Sequence, residues 1–140
     1  MPFKFERLEV WQLALEYVDL IYELAGQLPR SEDFNLNSQI TRAATSIALN
    51  IAEGSTGQSD AEQNRFLGLA VRSLIETVAC QRLIKRRGYL KNNDILVNTE
   101  SKAQLLAKKL HSFRKILKNP ASGKLGEEPA MYLMDEEVKE

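Results

Sequence analysis

The sequence predicts an all-α protein, an antiparallel up-down four-helix bundle over residues 1–118 followed by a flexible acidic C-terminal tail over 119–140. Three observations predict it. Four long segments repeat apolar residues at the helical period, and none alternates with period two for long enough to make a strand. The connections between the four are short, which makes neighbouring helices antiparallel. At 140 residues, 44% of them hydrophobic and 27% charged, the chain can bury one core as one domain.

The first helix is expected from about Glu6 to Leu28, where Pro29 stops it. Glu9, Gln12, Glu16, Asp19 and Glu23 share about 80° of its circumference. Val10, Leu13, Ala14, Tyr17, Leu20, Ile21, Leu24 and Leu28 form one apolar ridge, and Leu8, Trp11, Leu15, Val18 and Tyr22 form a second beside it. Together they cover about 240°, more than the roughly 160–180° that two bundle neighbours need. Aromatic residues are enriched at subunit contacts. The second ridge, Leu8, Trp11, Leu15, Val18 and Tyr22, is therefore expected to be the interface of a homo-oligomer.

The second helix runs from about Asn37 to Glu53 and stops at Gly54. Ile40, Ala43, Ala44, Ile47, Ala48 and Ile51 make a narrow core face rich in alanine, which lets helix axes approach closely. Beside it Gln39, Arg42, Ser46, Asn50 and Glu53 form a polar stripe. Glu53 places a negative charge at the unfavourable end of a helix dipole. The third helix starts after Ser59 or Asp60, both good N-caps, and ends at Gly88. It carries Arg65, Arg72 and Glu76 in one row. Antiparallel packing predicts two crossed pairs, Glu53 with Arg65 and Arg42 with Glu76. The other reading of the stripe is a cleft for a ligand.

The fourth helix follows Asn93 or Asp94 and runs to about Lys118, with Pro120 beyond it. The formal net charge of zero hides a division along the chain. Residues 1–81 hold 6 basic and 11 acidic residues, whereas residues 82–118 hold 11 basic and 2 acidic. Arg82, Lys85, Arg86, Arg87 and Lys91 cluster around the end of the third helix. Lys108, Lys115 and Lys118 share a face of the fourth with His111, opposite Leu106, Leu110, Phe113 and Leu117. These eight cations are the candidate contacts to RNA or DNA phosphates, because positive side chains supply the sequence-independent part of such binding. Tyr89 is the one aromatic near them, so readout of bases is not expected. The tail has an acidic end, with Met131, Tyr132, Leu133 and Met134 as a docking patch. It could also compete with phosphate for the basic face.

Catalytic signatures are missing. His111 is the only histidine and no acid precedes it by three residues, which removes the di-iron bundle pattern. Gly54 and Gly57 belong to no phosphate loop, and Cys80 has no second cysteine for a redox motif. No catalytic residue, cofactor or metal is expected, and the chain reads as a non-enzyme. Absence of a signal sequence and of an 18-residue apolar run predicts a cytoplasmic protein without membrane attachment.

Three stretches also carry a resemblance: FERLEVWQLA at 5–14, LPRSEDFNLNSQITRAATSIALNIAEG at 28–54 and NRFLGLAVRSLIET at 64–77. The chain resembles the 23S rRNA intervening-sequence protein family. That family's second-helix pattern falls on Gln39, Ile40, Arg42, Ala43, Ser46, Ile47, Asn50, Ile51, Ala52, Glu53 and Gly54. In the third helix Arg65, Phe66, Leu67, Ala70, Ser73 and Glu76 match, while Arg72 replaces the glycine before the serine. The resemblance covers about residues 5–118. It implies an antiparallel four-helix bundle in a ring-like homo-oligomer, a pentamer by that analogy. The family also resembles accessory proteins of diversity-generating retroelements, which implies association with nucleic acid. The alternative is an oligomeric scaffold for a protein partner without nucleic-acid binding.

Overall fold

A computed structural model describes residues 3–57 and 59–119. Its four helices are α1 (Glu9–Ala25), α2 (Leu36–Gly54), α3 (Asp60–Arg87) and α4 (Asp94–Lys118), with 3-10 turns at Lys4–Arg7 and Arg30–Glu32. Each boundary has a local cause. The Ser59 hydroxyl accepts the Glu62 amide at 3.0 Å and opens α3. Gly88 closes it in the left-handed region, φ 70°, with its amide on the Ile84 and Lys85 carbonyls. Glu32 opens α2 from outside the helix, accepting the Leu36 amide at 3.2 Å, so a negative charge sits at the positive end of the dipole.

The first helix is shorter than expected, and the difference has consequences. Leu8 is extended, φ −75° and ψ 133°, so the chain turns before α1 begins. Residues 4–7 coil separately and carry Phe5 onto Trp11, edge to face at 4.7 Å. Leu8 is therefore out of helical phase with Trp11 and Leu15. It is buried at 1% exposure rather than lying on an outer ridge. The expectation that Leu8 belongs to a subunit interface is corrected on that ground.

The helices pack in cyclic order, α1 beside α2 and α4, α3 beside α2 and α4. Pairings fix the directions. Glu16 meets Lys102 and Glu9 meets Lys109 across α1 and α4. Gln81 meets Thr99 and Asn64 meets Arg114 across α3 and α4. Ser46 meets Ser73 across α2 and α3. Every neighbouring pair thus runs antiparallel. The α2–α3 seam is the most intimate, and Gly54 and Ser46 lie in it. A Cβ on Gly54 would stand 2.8 Å from the Phe66 Cβ.

The core holds Val10, Ile21, Ile40, Ile47, Leu67, Leu106, Leu110 and Phe113, all at 0–1% exposure. Cys80 is buried among them and burial raises its thiol pKa, which leaves it a small packing residue. One polar cluster crosses this core. The Tyr17 hydroxyl bonds Thr77 at 2.7 Å and receives the Gln81 amide at 2.7 Å. Thr99 bonds the Gln81 carbonyl oxygen at 2.9 Å. Among the described residues no helix is long and apolar enough to cross a membrane.

Candidate functional site

Two surfaces carry the residues singled out from the sequence. The first lies over α1 and α2. Ser46 and Asn50 of the polar stripe are held locally. The Ser73 hydroxyl donates to Ser46 Oγ at 2.9 Å, and Asn50 Nδ2 donates to the Ser46 carbonyl and hydroxyl at 2.9 and 3.0 Å. Gln39, Arg42 and Glu53 point outward and are exposed. Tyr22, Thr41, Arg42, Thr45, Ser46, Leu49, Asn50 and Glu53 line an open groove of about 460 Å³.

The two crossed ion pairs expected from the sequence are not made. Arg65 bonds Glu62 instead, at 3.0 Å and one turn away on its own helix, and lies 4.6 Å over the Phe66 ring. A partner at i−3 is reached without crossing the α2–α3 seam, which favours it over Glu53. Among the described residues Arg42, Glu53 and Glu76 form no ion pair. Glu53 is thus not neutralised by Arg65, and its position opposes the dipole of α2 by a few tenths to about 1 kcal/mol.

The second ridge of α1 runs into the same surface. Trp11 and Val18 are half-buried, while Leu15 and Tyr22 are 39% and 54% exposed. Tyr22 reaches Thr45 with its hydroxyl, 3.5 Å away, and Leu49 beside it is 56% exposed. Apolar ridge and polar stripe, read separately in the sequence, form one continuous face.

The basic residues form the second surface, and the fold divides it. α4 rises about 1.5 Å per residue, so Lys118 lies about 36 Å along the axis from the α3–α4 turn. Around that turn Lys85, Arg86, Arg87 and Lys91 are exposed. Arg82 is clamped by both oxygens of Glu100, at 2.8 and 3.1 Å, so its charge is offset. Arg87 lies 5.9 Å over the Tyr89 ring, and Tyr89 donates to Glu32. That bond, ahead of the Leu36 amide, holds the Glu32 carboxyl below its usual range. At the other end Lys108, Lys115 and Lys118 are exposed on α4. His111, Arg114, Lys115, Lys118 and Asn119 line a shallow cavity of about 210 Å³ with no carboxylate in its wall.

Sequence reasoning singled out Tyr89 but missed Glu32 and the bond between them, which joins two loops far apart in the chain. The only signal was a glutamate placed just ahead of a helix start. Among the described residues no group of histidine, cysteine or acidic side chains is arranged to hold a metal.

The fold and the motif positions now have an external counterpart. Residues 6–112 match the model of the 23S rRNA-intervening sequence protein family. The chain belongs to that family. The match takes in the whole α2 stripe and its α3 neighbours, and ends before Lys115 and Lys118. The intervening-sequence protein fold is also seen in the crystal structure of a protein of unknown function from the S23 ribosomal protein family of Bacteroides thetaiotaomicron VPI-5482. This chain is 28% identical to it, with a TM-score of 0.69, over 76% of this chain and 98% of that one. No curated protein matches.

Proposed function

We propose that this intervening-sequence protein is a non-enzymatic homo-oligomer that holds the phosphate backbone of RNA or DNA on its basic surface. The carrying observation is the α4 cavity, where His111, Arg114, Lys115 and Lys118 converge with no carboxylate in the wall. Exposed lysines bind phosphate as mobile point charges, and binding releases counterions. A phosphate-level contact gives affinity without sequence readout. Repetition of the face in a ring, a pentamer by the family analogy, multiplies weak contacts into useful avidity.

A salt titration with structured RNA and with duplex DNA tests this reading. Affinity should fall steeply and linearly on a logarithmic plot as salt rises. Absence of binding at low salt rejects it. The scaffold reading has its own observation: Phe34 is 98% exposed in the turn between α1 and α2, an apolar anchor for a protein partner. A protein captured through that turn, and released by Phe34→Ala, would favour the scaffold.

A further inference from the structure

We propose that Arg42, Glu53, Arg65 and Glu76 pair between copies of this chain, the α2 face of one subunit docking antiparallel against the α3 face of the next. This rests on the oligomer part of the reading above and names the surfaces that make it. Arg42 and Glu53 stand eleven residues apart on α2, and Arg65 and Glu76 stand eleven apart on α3. Each pair therefore spans about 16.5 Å along its axis. The order of sign is the same on both helices, so only an antiparallel approach brings both opposite charges together. Arg42 then meets the neighbour's Glu76, and Glu53 meets the neighbour's Arg65.

All four side chains are exposed within one chain. Among the described residues three have no ion-pair partner, and Arg65 has only an exposed one on its own helix. Pairs of that exposed kind hold little energy, so Arg65 exchanges Glu62 readily for a partner less screened by solvent. The strip between the charges suits an interface. Leu49, 56% exposed, lies between Arg42 and Glu53 on α2, and half-buried Leu69 lies between Arg65 and Glu76 on α3. Alignment of the charges also brings Arg72 level with Ser46, at the wall of the groove. Tyr22 and Leu15 extend the apolar area from α1.

The two docking patches differ, one on α2 and one on α3. Such head-to-tail contacts make a ring when the rotation closes. Glu53, unfavourable at its own helix end, is a contact in the assembly.

Charge reversal followed by mixing tests the pairing on the full chain. By sedimentation, Arg42→Glu or Glu76→Arg alone should raise the subunit dissociation constant by at least about tenfold, because like charges then face each other. An equimolar mixture of the two variants should restore association between unlike subunits, with one mismatched junction left in a ring of five, and Glu53→Arg with Arg65→Glu should behave alike. These positions are exposed in one chain, so the helical content read by circular dichroism should stay at the wild-type value, while the melting point falls only as far as lost association lowers it. Recovery in the Arg42→Glu/Glu76→Arg double variant with no association at all between the two single variants on mixing would place the pairs within one chain and overturn the inference. A wild-type oligomer indifferent to every reversal would overturn this interface alone. A wild-type monomer at low salt would overturn the oligomer reading and this interface with it.

Discussion

The Gln81 side-chain amide donates to the Tyr17 hydroxyl at 2.7 Å, joining α3 to α1 across the centre of the bundle. Tyr17 is 0% exposed and Gln81 1%. Thr77 completes the set on α3 and Thr99 on α4, so three helices share one satisfied polar cluster. A one-residue slip of any of them would leave buried donors unmatched, so the cluster selects the register.

Tyr17→Phe removes the acceptor of the Gln81 amide without changing shape. It should cost about 1–3 kcal/mol, the usual penalty for a buried unsatisfied group. Urea unfolding with an unchanged slope measures it. Adding Gln81→Leu should recover part of the loss, since an apolar pair leaves fewer orphans.

Burial also pushes the Tyr17 pKa up to about 12. The folded state therefore keeps its proton where the unfolded tyrosine, near 10, loses it. Stability from this group is complete below pH 10 and is lost as pH rises towards 12, by about 2–3 kcal/mol in all. Denaturant midpoints across that window should fall for the wild type and fall less for Tyr17→Phe.

Glu32 predicts the opposite dependence. Its carboxyl is held low first by the Tyr89 hydroxyl and then by the Leu36 amide. The stability it contributes is present above the ordinary carboxylate range and is lost as pH falls through its own lowered value. Thermal melts of Glu32→Gln should lie below the wild type at neutral pH. The two should converge in acid; a gap that persists there would assign the effect to something other than charge.

Gly54→Ala should destabilise, although alanine is the better helix former. Its Cβ would meet the Phe66 Cβ at 2.8 Å, on a neighbouring helix that cannot rotate away. Overpacking of this kind costs about 1–3 kcal/mol. A melting point equal to or above wild type would show that the α2–α3 seam yields easily.

Lys115→Ala with Lys118→Ala should lower the slope of log affinity against log salt by about two, one for each phosphate no longer neutralised. Deletion of residues 120–140 should strengthen binding if the acidic end competes with phosphate for the same lysines; unchanged affinity would reject that competition. The tail, with Met131 to Met134, lies outside the described residues.

Helix number, order and the limits of α3 were legible because periodicity, Ser59 and Gly88 each act within a few residues, whereas α1 stops at Ala25, before Leu28, with Gly26 rather than Pro29 at its end. Leu8 was misplaced because a short 3-10 turn shares the helix's composition but not its phase. The Glu53–Arg65 pairing failed because helix spacing gives the level of a charge, not which of two partners it chooses, and Glu62 was nearer along the chain. The division of the basic segment into two clusters follows from helix length alone and could have been read. The bond from Tyr89 to Glu32 could not, since it depends on where two loops meet.

That bond makes the two ends of the bundle unequal. At one end the α1–α2 and α3–α4 loops are sewn together through Glu32 and Tyr89. At the other, α4 ends at Lys118 with the Asn119 amide on the Ile116 and Lys115 carbonyls, near the start of α1 and the α2–α3 turn. Fraying should begin there, and amide exchange in the last turns of α4 should outpace that around Gly88. If exchange is faster there, the lysines of the α4 cavity ride on the segment that opens first.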